Sequence, residues 1–411
     1  MDLKRFLDSS PTAWHTANNL AKLLEKAGFQ KLDEKSPWKI EPATGYFVTR
    51  NESSLLAFLT PKKKLRKAVV AAAHADSPAL KLKPAGEFVQ EGMTMLSFEV
   101  YGSPILPSWI GRDLYLAGRI FYEKSGRVAS ELVSFPDYPF IISNLALHLD
   151  RQVNENGLLV HKQDHLSAIV SSSAKPFLES ITKKKLLHHE LFAAPSDLTA
   201  YLGSEHELLA SARLDNLAHA ASVVEALLSQ KPNQDTLKML AVWNFEEIGS
   251  MTQEGAASSF FEECLERITT HWKLSREEFF CFKARSCTLS CDVTHAVHPN
   301  FIDRHDARHR VKLGSGPVIK TNAQARYVTD GEVAATLASL WQKKKINYQY
   351  FSSRNDIPCG TTIGPIHSAK TGFKTIDLGI PLLGMHAARE VIHKEDYTSF
   401  VKGLSVLFEE L

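Results

Sequence analysis

The stretch that decides the fold reads Leu237-Lys-Met-Leu-Ala-Val-Trp-Asn244, followed at once by Phe245-Glu246-Glu247. Apolar residues run through it without the polar alternation of a half-exposed strand, so it is expected to form a strand buried on both faces. Two adjacent carboxylates where such a strand ends need a compensating partner.

Other apolar runs end in the same way. Ala68-Val-Val-Ala-Ala-Ala73 meets His74 and Asp76, Cys287-Thr-Leu-Ser-Cys291 meets Asp292, and Thr375-Ile-Asp-Leu-Gly-Ile380 leads toward His386. Between these runs the spacing predicts helices. One covers Asp215–Gln230, with Leu217, Ala220, Ala221, Val224, Leu227 and Leu228 on one stripe; others lie near Gly331–Trp341 and Tyr397–Leu411. An amphipathic helix opens the chain, with cap and first-turn residues in Ser9–Thr12 and a stop at Gly28. Strands alternating with helices predict an α/β fold, a mixed sheet covered by helices on both faces. The segment 87–205 differs. It holds β-like runs such as Met95–Tyr101 and Arg119–Glu123 broken by Gly and Pro, and is expected to be a β-rich insert between 1–86 and 206–411.

Composition narrows the function. A formal net charge of +2 gives no electrostatic reason to expect nucleic acid or an acidic membrane as partner. Five cysteines without a C-x-x-C pair argue against a disulfide framework or a thiolate zinc site, and for a reducing compartment. The charged N-terminus lacks the apolar core of a signal peptide, so a cytoplasmic location is expected.

In an open α/β sheet the carboxyl ends of the strands line the crevice where ligands bind. His74, Asp76, Glu246, Glu247, Asp292 and His386, with Asp215 in Arg213-Leu-Asp-Asn216, are therefore the candidate site. Carboxylates gathered in one place repel one another unless cations neutralise them. Histidine and carboxylate without thiolate suit zinc in a hydrolytic rather than a structural role. Singly each element has a plainer reading: a chance pair for His74 and Asp76, a helix cap for Asp292, a hydrogen-bonded core histidine for His386.

The collinear motifs resemble those of the aspartyl aminopeptidase family, zinc peptidases with two cocatalytic metals. They include Gly45-Tyr-Phe-Val-Thr-Arg-Asn-Glu-Ser-Ser54, His74-Ala-Asp-Ser-Pro78, Arg112-Asp-Leu-Tyr-Leu-Ala-Gly-Arg119, Glu246-Glu-Ile-Gly-Ser250, Asp292–Asn300, Cys359–Pro365 and Gly384-Met-His-Ala-Ala-Arg-Glu390. The resemblance implies two divalent ions, expected to be Zn2+, with His74 and Asp292 on one, Glu247 and His386 on the other, and Asp215 bridging. It also implies Asp76 as the carboxylate orienting His74 and Glu246 as general base. The implied reaction is removal of an N-terminal Asp or Glu from short peptides. Lys320 is the resemblance's candidate cation for the acidic side chain; otherwise it is a solvated strand-end lysine. His148 resembles a histidine that reaches the site from a neighbouring subunit, against an equal reading as an interface or core residue. His295 and His298 are pocket candidates beside Asp292. The family assembles as dodecamers built from dimers, which implies a homo-oligomer with 87–205 as the dimerisation domain.

The chain departs from the family at Tyr101-Gly-Ser-Pro-Ile-Leu-Pro-Ser-Trp109, where many members carry a glycine run and a histidine. Prolines stiffen that loop, leaving substrate preference and assembly open. The alternatives are a broad or neutral-residue aminopeptidase on the same scaffold and a non-catalytic assembly module.

Overall fold

The computed structural model describes residues 1–411 and gathers them around three sheets. The largest has nine strands. In chain order they are β1 (Gln30–Lys31), β2 (Gly45–Arg50), β3 (Ser54–Leu59), β4 (Lys67–His74), β5 (Thr236–Trp243), β6 (Cys287–Cys291), β7 (Val318–Lys320), β8 (Gln349–Phe351) and β9 (Lys374–Gly379). Their spatial order is β1-β2-β3-β5-β4-β6-β9-β7-β8. The central four, β5, β4, β6 and β9, are mutually parallel, and antiparallel partners flank them. Their carboxyl ends therefore share one edge, with Trp243 paired to His74.

Every residue of β5 and all but the first of β4 are buried. Alternate side chains serve opposite faces. Val69, Ala71, Ala73, Leu240 and Val242 pack with the helices Ala13–Lys26, Leu214–Leu228, Gly331–Lys343 and Lys394–Glu410. Val70, Ala72, Met239, Ala241 and Trp243 pack with the helix Phe260–His271 and with Phe282 and Ile363. Helices on both faces are why these strands read as unbroken apolar runs.

A short helix, Leu3–Asp8, precedes the expected opening helix, which runs Ala13–Lys26. Thr12 stands at the N-cap of the second, but its Oγ1 lies 2.8 Å from His15 Nδ1 and caps no backbone N–H. In Leu214–Leu228 the backbone at Asp215 (φ −79, ψ 102) and Asn216 (φ −122, ψ 23) is not helical, so the regular helix begins after them.

The second sheet draws its seven strands from residues 79–195. Leu186–Pro195 pairs with both Ala79–Gln90 and Asp113–Lys124, so the sheet closes into a barrel, with Arg127–Ser134 added outside. Leu80, Leu96, Phe98, Leu114, Leu116 and Ile120 fill its core. Closure leaves few backbone groups unpaired at strand edges. Strand Ala79–Gln90 runs across position 86/87, with a register shift between Leu82 and Glu87.

The third sheet joins five short strands: Ala200–Leu202, Leu208–Ser211, Glu390–His393, Pro381–Leu383 and Thr294–His295, in that spatial order. It binds together the segments on which Asp215, Asp292 and His386 stand. All five cysteines are free thiols. No helix is long and apolar enough to cross a membrane.

Candidate functional site

His74 ends β4 and is 1 % exposed. Its Nδ1 lies 2.9 Å from the carbonyl oxygen of Asp76. A carbonyl only accepts, so Nδ1 carries the proton and Nε2 faces the site. Around Nε2 stand Asp215 Oδ1 at 3.5 Å, Asp292 Oδ1 at 3.8 Å and Glu246 Oε2 at 3.9 Å. Asp292 follows the last residue of β6, which puts it at the same sheet edge.

Asp215 is 3 % exposed. One carboxylate oxygen faces His74, and the other lies 3.3 Å from His386 Nε2. The same nitrogen is 3.6 Å from Glu247 Oε2. Two donor groups thus share Asp215: one with His74, Asp292 and Glu246, the other with His386 and Glu247.

The acidic pair is held by its neighbours. Phe245 (φ 63) and Gly249 (φ 98) bound a single turn of 3-10 helix, Glu246–Ile248. The Glu246 and Glu247 N–H groups donate to Asp76 Oδ1 (3.2 Å) and Oδ2 (3.1 Å), and the Tyr101 hydroxyl donates to Oδ2 at 2.7 Å. The Asp76 carboxylate therefore anchors the turn, with Oδ1 3.5 Å from His74 Nδ1. The shorter contact to the imidazole comes from the Asp76 main chain.

His386 (φ 69) is fixed at three points. Its Nδ1 lies 3.0 Å from the Ser103 carbonyl, its N–H donates to Glu390 Oε1 at 2.7 Å, and its carbonyl accepts from Ile105 N–H at 2.9 Å. Glu390 Oε2 also accepts from Asp215 N–H at 3.0 Å, so this buried carboxylate ties two site residues together.

The electrostatics call for positive charge. Burial pushes Glu246 up to about 8, aided by Asp292, Asp76 and Asp215 against the opposing pull of His74. Burial, then the Asp215 charge, pushes Glu390 up to about 8 as well. Burial also drives Glu247 well above the carboxylate range, with Asp215 adding to it and His74 opposing. Carboxylates this close ionise together only beside cations. Asp215 Oδ1 is buried without a hydrogen-bond partner, as a ligand atom would be. His74 with Glu246 and Asp292, and His74 with Asp215 and Glu247, each bring three ligand atoms within 4.8 Å of one another. Nitrogen and oxygen donors with no sulfur fit divalent ions of the zinc type.

Lys320 is 2 % exposed, with Nζ 3.8 Å from Asp292 Oδ2 and 5.1 Å from the centre of the Tyr327 ring. His295 is exposed, with its ring 6.2 Å from that of Phe351, and His298 packs on Phe301 at 4.9 Å. His148 is exposed on the segment between strands of the barrel and is not part of the cluster. Sequence reasoning missed Glu390, Tyr101 and the Ser103 carbonyl. Glu390 stood inside a recognised motif without a role, and Tyr101 and Ser103 stood in the divergent Tyr101–Trp109 stretch, likewise without one.

The chain is similar in sequence and fold to known proteins. Residues 6–408 match the family model described as aminopeptidase I zinc metalloprotease (M18). A probable M18 family aminopeptidase 2 of Ectopseudomonas mendocina is 36% identical over 419 residues, covering 98% of this chain and 96% of that one. A chain in the cryo-EM structure of the Ape4 and Nbr1 complex superposes with a TM-score of 0.94 at 33% identity, covering 99% of this chain and 85% of that chain. The S. cerevisiae mApe1 dodecamer gives 0.86 at 25% identity, covering 100% and 96%.

Proposed function

The chain belongs to the M18 family of zinc metallo-aminopeptidases, and on that premise we propose that it removes N-terminal Asp or Glu from short peptides, with Glu246 as general base and two Zn2+ ions at the site. His74 and Asp292 would hold one ion, Glu247 and His386 the other, and Asp215 would lie between them. Bound ions would supply Lewis-acid polarisation of the peptide carbonyl and acidify a water. Glu246 would take that water's proton and return it to the leaving amine. Asp76 would keep the Glu246–Glu247 turn in register with His74, and Glu390 would do the same for Asp215 and His386.

The observation that carries the metal reading is the buried Asp215 carboxylate between two imidazoles, its Oδ1 without a hydrogen-bond partner. The acidic preference is supported by Lys320, the buried cation nearest the carboxylate cluster. Release of Glu and of Leu from chromogenic peptides, for the zinc-loaded parent and Lys320→Met, tests it. With Lys320 reading the acidic side chain, the variant loses about 30- to 5,000-fold in kcat/KM for Glu over Leu, the scale for removing one partner of a buried charge pair. If both substrates decline together and zinc affinity falls with them, Lys320 serves Asp292 alone and the specificity assignment is wrong.

The subunit is proposed to act in a cytoplasmic homo-oligomer of dodecameric type, with 87–205 as the dimerisation unit and 1–86 with 206–411 as the catalytic unit. His148, exposed in the single chain, would then meet a neighbour's site. Light scattering of the purified protein tests the assembly.

A further inference from the structure

We infer that the loop Gly102–Ser108, which belongs to the barrel, is the positioning element for one of the two metal positions, that of Glu247 and His386, and leaves the position of His74 and Asp292 independent of it. The inference rests on the metal reading proposed above.

The loop touches both residues of that position. The Ser103 carbonyl faces His386 Nδ1 at 3.0 Å, which fixes the proton there and turns the Nε2 lone pair toward Asp215 Oδ2 (3.3 Å) and Glu247 Oε2 (3.6 Å). That is the tautomer a metal-binding imidazole needs, set by the partner of its other nitrogen. Ile105 N–H donates to the His386 carbonyl at 2.9 Å. Ser108 closes the arrangement: its Oγ–H donates to the Ile105 carbonyl at 2.6 Å and its Oγ accepts from Ala388 N–H at 2.9 Å. At the loop's start Gly102 has φ 69, and a Cβ there would sit 3.2 Å from Glu247 Cβ, so the main chain packs against that ligand side chain. Pro104 and Pro107 limit the conformations open to the segment.

The other position is built without the loop. His74 is the last residue of β4 and takes its orienting carbonyl from Asp76, two residues on; Asp292 follows β6. Both belong to the main sheet. The loop, by contrast, connects the barrel strands Met93–Tyr101 and Asp113–Lys124. Affinity at the Glu247–His386 position is therefore conditional on this loop, whereas the barrel reaches the other position only through Tyr101, which bonds the Asp76 carboxylate and not a ligand.

Two substitutions separate these roles. Ile105 has φ −73, an angle proline adopts, and its side chain is 47% exposed, so Ile105→Pro removes the donor to His386 with little else. Ser108→Ala removes both hydroxyl bonds, and Ser108→Thr keeps them. Zinc affinities are read by chelator competition with a metal-sensitive dye, alongside bound zinc per chain and the melting temperature of the metal-free proteins. The parent is expected to bind two ions with separable constants. In Ile105→Pro and Ser108→Ala one dissociation constant rises about 10–100-fold, the scale for losing a group that orients a ligand. The other constant stays at the parental value, the weakened step is the one that Glu247→Gln also weakens, and Ser108→Thr behaves as the parent. Unchanged constants, or both rising together in variants whose metal-free forms melt like the parent, overturn the inference. A parent that binds fewer than two ions sinks the metal reading itself, and this inference with it.

Discussion

His367 makes the protein's acid stability predictable. Its side chain is buried, and Trp243 Nε1–H donates to its Nε2 at 2.9 Å, so that nitrogen must stay unprotonated in the native state. Burial, then the Lys370 charge, lowers its pKa to about 4. In the unfolded chain it titrates near 6.5, the ordinary value for histidine. The folded value is the depressed one, so between the two the unfolded state binds the extra proton. The stability from a neutral His367 is thus fully present above the unfolded pKa and is lost as pH falls toward the folded one. At 1.36 kcal/mol per unit the full loss is about 3 kcal/mol, of which about 2 kcal/mol is reached by about pH 5. Urea unfolding of the parent and of His367→Gln, whose amide oxygen can still accept from Trp243, should be followed at about pH 7.5 and about pH 5. The parent is expected to lose about 2 kcal/mol more than the variant over that interval. Parallel losses in the two proteins would refute the reasoning, because His367 would then not be the neutral acceptor the geometry requires.

Further outcomes follow from the site. Glu246→Gln should lower kcat by about 100- to 10,000-fold, the usual worth of a positioned base, while bound zinc measured by atomic absorption stays at the parental level. Tyr101→Phe removes one hydrogen bond to the Asp76 carboxylate without leaving a donor unpaired, and should cost about 1.5–3 kcal/mol in urea unfolding. Glu390→Gln replaces a carboxylate that accepts from both Asp215 and His386 N–H; its amide keeps one acceptor, and zinc affinity should fall about 10–100-fold. Chelation should abolish hydrolysis and lower the melting temperature, and added zinc should restore both, since an ion that binds only the folded chain stabilises it by mass action.

How much could be read from the residues depended on whether the signal was local. β4, β5, β6 and β9 were legible because burial on two faces writes a continuous apolar run. The site residues that follow three of those strands were legible with them. The helix Ile363–Thr371 was not, because Gly364 and Pro365 read as a turn. Within the first turn no backbone N–H needs an intrahelical partner, so the proline is tolerated there. Arg276–Arg285 buries only Phe282 and carries no apolar stripe to betray it. The third sheet's strands, such as Thr294–His295, are too short to show a period. Ser103, Tyr101 and Glu390 act through contacts between distant segments, so their roles have no signature in the chain around them.

The order of strands in the main sheet has a consequence for synthesis. Strand β4, which carries His74, lies between β5 and β6, both of which leave the ribosome more than a hundred residues after it. Its backbone donors and acceptors therefore wait, without either ladder partner, while the whole barrel segment is translated. His74 and His386 stand more than three hundred residues apart in the chain, so the last of the candidate site residues emerges long after the first. Closing so long a loop carries an entropic cost that only the assembled sheet repays. Until then a nascent chain presents its apolar β4 run to solvent. This makes the interval between residues 74 and 236 the one in which a chaperone or a crowded polysome would most affect yield.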